Sequence, residues 1–137
     1  MEQSKQKIHS FLMFEGNAEE AMAMYTSLFE ESEIINIIRY GPNESGDEGS
    51  VLHATFSVKG QEFMASDSYV KHDFTFTPSI SMFVTCDSEE EIDVAYAKLS
   101  QGGEILMPLA DYSFSAKFGW VNDKFGVSWQ LSLPLEF

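Results

Sequence analysis

Three histidines and a single cysteine are among the residues of this chain that could carry chemistry. His53 is the most informative, because it shares the polar face of a predicted strand with Thr55 while the intervening residues are apolar. A histidine in that position can bind a ligand or exchange a proton near neutral pH, or it can be a hydrogen-bonded part of a cavity wall. His72 lies between charged residues in a connector, and Cys86 ends an apolar strand. We expect His72 to be solvated and Cys86 to be a small core residue.

Several catalytic and cofactor motifs are absent from the sequence. It has no Gly-x-x-x-x-Gly-Lys loop for nucleotide phosphates and no nucleophile elbow with a Ser-His-Asp arrangement. It also has no glycine-rich loop between a strand and a helix that could hold an adenosyl cofactor. The single cysteine excludes an internal disulfide and fits a reducing compartment. We therefore expect a cytoplasmic protein, and the sequence leaves open whether it is an enzyme.

The charge of the chain is strongly negative. Its 22 acidic and 8 basic residues give a formal net charge of -14, within a composition that is 44% hydrophobic and typical of a folded protein. Such a surface repels phosphate backbones and anionic lipids, so we expect no nucleic-acid partner and no membrane partner. Residues 1–7 lead into Ile8 without an apolar segment, which argues against a signal peptide. The acidic residues form either a plain solvated surface or one that favours cationic ligands.

An internal repeat organises the chain. Residues 10–35 lie over residues 81–106 without a gap, at an offset of 71. Asn17 and Ser88 coincide as predicted helix N-caps, and Glu20 and Glu91 coincide as the return partners of capping boxes. The repeat therefore predicts two copies of a strand-then-helix unit. The identical pairs are Ser10/Ser81, Glu19/Glu90, Glu20/Glu91, Tyr25/Tyr96, Leu28/Leu99, Glu33/Glu104 and Ile34/Ile105.

The hydrophobic patterns predict an α+β fold built from tandem βαβββ modules. We expect one domain over residues 1–137, with module one at 8–67 and module two at 79–134. Each module should form a curled four-stranded mixed sheet backed by one helix. Pro108 is expected to end or kink the sixth strand. The predicted helices are 18–30 and 89–100, and the strands are 8–14, 34–40, 51–58, 61–66, 79–85, 105–107, 116–122 and 127–133.

This pattern resembles the glyoxalase, bleomycin-resistance and extradiol-dioxygenase superfamily, also called the vicinal oxygen chelate fold. Three runs look like its PhnB-like branch, whose family name is that of a 3-demethylubiquinone methyltransferase. They are FLMFEGNAEEA at 11–21 with Tyr25, Gly102-Gly103 with Met107-Pro108, and GWVNDKFGVSWQ at 119–130. The resemblance covers nearly the whole chain. Because the adenosyl-binding loop is missing, the methyltransferase label is not supported.

The resemblance also implies where a metal would be bound. Enzymes of the superfamily hold a divalent ion with four side chains, one from the first and one from the last strand of each module. These positions fall on Ser10, Met64, Ser81 and Gln130. Zinc, iron and nickel prefer imidazole, carboxylate or thiolate ligands, so we expect no metal and no other cofactor.

A one-residue error in the strand register would change that conclusion about the metal. His9 lies one residue from the expected ligand position, which turns its side chain to the opposite face of the strand. The alternative ligand set is His53 with Glu62 or Asp67.

Strand alternation predicts one ligand-binding face. Its polar groups come from Ser10, His53, Met64, Ser81 and Gln130, and its apolar walls from Leu12, Phe14 and Phe83. On the opposite face, turned toward the helices, we expect Phe11, Met13, Phe63, Trp129 and Leu131. A mostly apolar cleft with a few convergent polar groups is typical of a small-molecule site. The catalytic residues, if the protein is an enzyme, are not identified.

Three functions remain open. The first is a metal-free protein that binds a small organic molecule, cationic in view of the acidic surface, in a cavity between the modules. The second is a metal-dependent lyase, isomerase or dioxygenase of the same fold. The third is a structural or regulatory homodimer without a ligand. Pairing of the modules, within one chain or across a homodimer, is expected in each case because sheet edges and concave faces need cover.

Overall fold

The computed structural model describes residues 6–135 and confirms the α+β class. The described residues form two four-stranded sheets, with strand orders β1-β4-β3-β2 and β5-β8-β7-β6. The β1–β4 and β5–β8 pairs are parallel and the other pairs are antiparallel, so both sheets are mixed. The elements are β1 (Ser10–Phe14), α1 (Ala18–Leu28), β2 (Glu33–Arg39), β3 (Val51–Val58), β4 (Gln61–Asp67), β5 (Met82–Thr85), α2 (Glu89–Ser100), β6 (Glu104–Tyr112), β7 (Ser115–Asn122) and β8 (Ser128–Leu133).

Each βαβββ module is a compact unit of its own. The first unit ends at His72 and the second begins at Asp73. In module one, α1 packs on one face of its sheet and buries Ala21 and Tyr25 completely. In module two, α2 does the same with Ile92, Ala95 and Leu99. These residues recur at helical spacing, so each helix presents one apolar stripe to its sheet. Within residues 6–135, no helix is long and apolar enough to cross a membrane.

The two helices begin in different ways. The Ser88 hydroxyl accepts a hydrogen bond from the Glu91 amide at 3.1 Å, which confirms the N-cap predicted for α2. The Glu91 carboxylate returns to the amide of Asp87 at 2.9 Å, one residue before the cap. Asn17 is the N-cap residue of α1, as predicted, but its side chain makes no capping hydrogen bond, so the predicted capping box is wrong. The cap is supplied from elsewhere in the chain, by the carboxylate of Asp67 at the end of β4.

Pro108 interrupts the pairing of β6 without ending the strand. The strand continues to Tyr112, well beyond the predicted end at Met107. Its register against β7 shifts between Met107 and Ala110. A proline is tolerated there because β6 is an edge strand, where a missing amide donor costs no hydrogen bond to a second neighbour.

The ungapped repeat is right for the helices and wrong by one residue for the first strands. Phe11 pairs with Met64 in module one, and Phe83 pairs with Gln130 in module two. Phe11 therefore corresponds to Phe83, at an offset of 72 rather than 71. The extra residue of module one lies between β1 and α1, where Gly16 has a φ of 104°. Glycine adopts this left-handed conformation readily, so the connection can accommodate the insertion.

Candidate functional site

Each sheet has one face covered by its own helix and one opposite face, which we call the distal face. In module one the distal face carries Phe11, His53 and Met64. The ring centroids of Phe11 and His53 are 6.1 Å apart, and Met64 pairs with Phe11 on one side and with Thr55 on the other. Phe11 is 52% exposed, whereas His53 and Met64 are half-buried. The predicted placement of His53 and Met64 on a common face is thus confirmed.

Ser10 lies on the helix side of the first sheet, not on the distal face. Its strand partner is Phe63, whose ring stacks on Phe56 with centroids 5.4 Å apart. Phe56 in turn is 6.3 Å from the ring of Tyr25 in α1. Ser10 and Met64 therefore occupy opposite faces of the sheet. The prediction that they form equivalent positions of one site is wrong.

Leu12 and Phe14 also lie on the helix side. They are 6% and 3% exposed, respectively, and belong to the core under α1. The prediction that Leu12 and Phe14 form walls of the ligand face is therefore wrong. The prediction that Phe11 is turned toward the helix is also wrong. The strand reads as apolar on both faces, so alternation alone does not show which face is covered.

A polar pair at the start of β1 was missed by the sequence analysis. His9 Nε2 is 3.3 Å from Glu62 Oε1, and the two side chains are only 11% and 22% exposed. Because His9 is two residues before Phe11, and Glu62 two residues before Met64, both side chains lie on the distal face. The correct strand register is the signal that would have found this pair.

The second module has hydroxyl groups at the corresponding place. Ser81 Oγ is 2.6 Å from Ser128 Oγ, and the indole nitrogen of Trp120 donates a hydrogen bond to Ser128 Oγ at 2.8 Å. Ser81 and Ser128 stand two residues before Phe83 and Gln130, as His9 and Glu62 stand before Phe11 and Met64. The structure thus places Ser81, Phe83 and Gln130 on one distal face, as the sequence predicts.

This donor set does not fit the four-ligand metal site that the superfamily implies. Module one supplies one imidazole and one carboxylate, but module two supplies two hydroxyls, which are poor ligands for zinc, iron or nickel. Among residues 6–135, no group of three or more His, Cys, Asp and Glu side chains is placed to hold a metal ion. The alternative set with Asp67 also fails, because that carboxylate is 4% exposed and bonded to backbone amides.

A depression of about 570 Å³ adjoins the polar pair of module one. Glu62 belongs to both features, since its carboxylate contacts His9 and its side chain lines the depression. The size is within the range of small-molecule sites, and the carboxylates on its wall favour a positively charged group. The lining residues are Glu31, Ser32, Glu33, Ile35, Ser57, Gly60 and Glu62.

The architecture of the two sheets is that of the glyoxalase/bleomycin-resistance fold. A glyoxylase/bleomycin resistance protein/dioxygenase domain from Frankia sp. EAN1pec is 12% identical and has a TM-score of 0.66, covering 97% of this chain and 100% of that chain. Residues 6–132 match the family described as 3-demethylubiquinone-9 3-methyltransferase. The chain therefore belongs to this PhnB-like family.

Two solved structures are similar over almost the whole chain. A PhnB protein from Bacillus cereus is 66% identical, with a TM-score of 0.91 and coverage of 93% of this chain and 99% of that chain. Protein PA1353 from Pseudomonas aeruginosa is 27% identical, with a TM-score of 0.83 and coverage of 96% and 100%. The predicted resemblance to the PhnB-like branch is confirmed.

The family description does not by itself assign methyltransferase activity to this chain. The connection from β1 to α1 spans residues 15–17 and contains one glycine. Dinucleotide and adenosyl cofactors in doubly wound folds are held by a longer glycine-rich turn beside a parallel sheet. Each sheet here has a single parallel pair.

Proposed function

We propose that the chain is a metal-free protein that binds a small organic molecule on the distal faces of its sheets. The observation that carries the proposal is the His9–Glu62 pair, which is largely shielded from solvent and adjoins a depression of about 570 Å³. Phe11 and His53 supply an aromatic surface on the same face. A ligand would anchor a polar group on the pair and cover the exposed Phe11 ring with its apolar part.

A positive charge on the ligand is part of this proposal. Three carboxylates line the depression, and the whole chain has a formal net charge of -14. An anionic ligand would be repelled both locally and by the long-range field, whereas a cation would be attracted by both. We place the protein in the cytoplasm, where its buried Cys86 would remain reduced.

The test is a ligand screen by thermal shift, followed by titration of each hit against His9→Ala, Glu62→Gln and His53→Ala. Loss of one partner of the pair should weaken binding about tenfold, the usual effect of a lost charge-assisted hydrogen bond. His72→Ala is the matched control, because His72 bonds Ser68 in the connector, outside the distal face. A hit that binds all three variants as tightly as the parent protein would contradict the proposal.

Two alternatives remain distinguishable from this function. The imidazole and carboxylate of the polar pair are ligand-type groups, which favours a metal-dependent lyase, isomerase or dioxygenase as the second candidate. Stoichiometric zinc, nickel, iron or manganese in protein purified without added metal would establish that candidate and refute the metal-free proposal. A structural or regulatory homodimer without a ligand would give no hit in the screen. We propose that the chain forms a homodimer whether or not it binds a ligand. Sedimentation velocity would detect the dimer.

A further inference from the structure

Module two carries a cluster of aromatic rings that belongs neither to the His9–Glu62 pair nor to the depression of module one. This aromatic cluster consists of Phe83 on β5, Tyr112 at the end of β6, Phe114 in the turn that follows, and Phe118 on β7. Tyr112 stacks on Phe114 with centroids 5.6 Å apart and an interplanar angle of 14°. Phe114 meets Phe118 edge to face at 5.0 Å, and Phe83 is 6.4 Å from Phe118.

Two members of the cluster are unusually exposed for phenylalanine. Phe83 is 60% exposed and Phe114 is 59% exposed, while Phe118 beneath them is 3% exposed. Phe118 is therefore the buried member of the cluster, and the two outer rings remain accessible to a ligand. The Tyr112 hydroxyl donates to the carbonyl of Pro108 at 2.8 Å, which holds that ring in place. Exposed rings held rigid by one another bind a flat partner at little cost in side-chain entropy.

A polar group lies directly beside these rings. Gln130 is the strand partner of Phe83 and projects from the same face. Within residues 6–135, the side-chain amide of Gln130 makes no hydrogen bond to another side chain or to the backbone. A primary amide offers both donor and acceptor atoms, so it can recognise a ring nitrogen or an amino substituent at the edge of a stacked ligand.

We infer that the aromatic cluster, with the Gln130 amide, is a binding site for flat heteroaromatic cations. The faces of aromatic rings attract positive charge through their quadrupole, and the net charge of -14 concentrates cations near the surface. This inference rests on the proposed function, because it names the chemical class of the bound molecule. It adds a second site, in module two, to the polar pair of module one.

The experiment measures binding of proflavine, a flat aromatic cation, by fluorescence anisotropy. Phe83→Ala and Phe114→Ala should each weaken binding about threefold to tenfold, as expected for the loss of one stacking or cation–π contact. Both residues are exposed, so the variants should stay folded, with a melting temperature lowered only slightly by the loss of one ring contact with Phe118. Phe74→Ala is the matched control, since Phe74 is 64% exposed in the same module but outside the sheet. Its affinity should stay within about twofold of the parent value.

The experiment distinguishes failure of the aromatic cluster as a binding site from failure of the proposed function. If proflavine binds Phe83→Ala and Phe114→Ala like the parent protein but is lost in Glu62→Gln, the proposed function stands and the aromatic cluster is not its site. If the aromatic anion 1-anilinonaphthalene-8-sulfonate binds the cluster as tightly as proflavine does, the cluster binds aromatic molecules of either charge, and its assignment to cations is wrong. If Phe114→Ala converts a dimer to a monomer without changing proflavine binding, the cluster is a self-association surface instead. If no ligand of any class binds, the proposed function fails, and this inference fails with it.

Discussion

One buried carboxylate joins three parts of module one. Asp67 Oδ1 accepts hydrogen bonds from the amides of Gly16 and Ala18, both at 2.9 Å, and Oδ2 accepts from the amide of Val51 at 3.0 Å. It therefore caps α1, fixes the turn after β1 and anchors the start of β3. Negative charge at a helix N-terminus is also favoured by the macrodipole. Asp67 is a structural residue, which is why it is not available as a ligand.

We expect Asp67→Asn to lower the free energy of unfolding by about 2 to 3 kcal/mol. The asparagine amide would place an N–H group against the Val51 amide, so a buried donor would lose its acceptor. Urea unfolding measures the effect. The control is Asp111→Asn, an exposed aspartate on the edge strand β6, which should stay within about 0.5 kcal/mol of the parent. Equal stability of the two variants would mean that the amide oxygen satisfies all three donors.

The residues of the distal faces show which parts of the candidate site can be predicted from the sequence. The placement of His53, Met64 and Gln130 can be predicted because His53 lies in a strand with clear alternation and the other two follow glycine turns. The sequence does not predict the His9–Glu62 pair, because the repeat of the helices does not give the register of β1 across the residue inserted between β1 and α1. A non-local contact of this kind leaves no periodic signal, and only the pairing of β1 with β4 reveals it.

At the scale of elements, the two modules join helix to sheet with similar charged contacts. Arg39 of β2 makes a two-pronged contact with the Glu19 carboxylate in the first turn of α1, at 2.7 and 2.8 Å. Lys117 of β7 contacts Glu89 and Asp93 of α2, at 3.1 and 2.6 Å. The hydrogen bond that Arg39 donates lowers the pKa of Glu19, and the hydrogen bonds that Lys117 donates to Asp93 and Glu89 raise the pKa of Lys117. All these groups are near the surface, so each contact stabilises its module only slightly.

The long-range cap of α1 explains one failed prediction about the elements. A pattern of Asn, two residues and Glu indicates a local capping box, and α2 follows that rule with Ser88. In α1 the amides are already bonded to Asp67, which lies about fifty residues further along the chain. The local sequence predicts the position of the helix start correctly, but it does not predict which group accepts the hydrogen bonds of the first amides.

Two adjacent glycines follow α2, and the structure gives them different roles. Gly102 has a φ of 72°, which ends the helix in the left-handed conformation predicted for a helix stop. Gly103 instead lies against the backbone of β7 and its turn. A Cβ atom there would collide with the carbonyl oxygen of Asn122 and lie 3.0 Å from Asp123 Cα.

We expect Gly103→Ala to be the more damaging of the two substitutions. Relief of the collision requires a shift of backbone rather than of a flexible side chain, at a cost of about 3 kcal/mol. Gly102→Ala should cost about 1 kcal/mol, the strain of a left-handed alanine. Unfolding in guanidinium chloride compares the two variants. Equal losses, or a greater loss for Gly102→Ala, would show that the collision at Gly103 is relieved at less cost than the left-handed strain at Gly102.

At the scale of the whole molecule, the repeat predicts the architecture and misses the difference between its copies. Two βαβββ units follow from the sequence because helix and strand patterns recur with the same spacing. The copies differ in chemistry: a histidine–glutamate pair in module one corresponds to a serine pair in module two. The aromatic cluster of Phe83, Tyr112, Phe114 and Phe118 lies in module two. Duplication thus accounts for the scaffold, and the divergence of individual residues provides candidate sites.

The net charge of the molecule leads to a prediction about salt. Screening shortens the reach of electrostatic attraction from about 10 Å at 0.1 M salt to about 3 Å at 1 M. We therefore expect the affinity of a cationic ligand to fall several-fold between about 0.05 and 0.5 M sodium chloride. An uncharged analogue of the same ligand should bind with nearly constant affinity over that range. Titration of both compounds at each salt concentration measures the difference.

The Glu33→Gln variant separates local from long-range attraction in the same experiment. Glu33 lines the depression beside Glu62, so its neutralisation should weaken binding at low salt and flatten the salt dependence of a cation that occupies the depression. Glu44→Gln is the control. Glu44 lies in an exposed loop and does not line the depression, and the substitution removes the same formal charge from the chain. If the two variants reduce the salt dependence equally, the attraction comes from the net charge of -14 as a whole and not from the carboxylates of the depression. A cation whose affinity does not change with salt in the parent protein would contradict the electrostatic part of the proposed function.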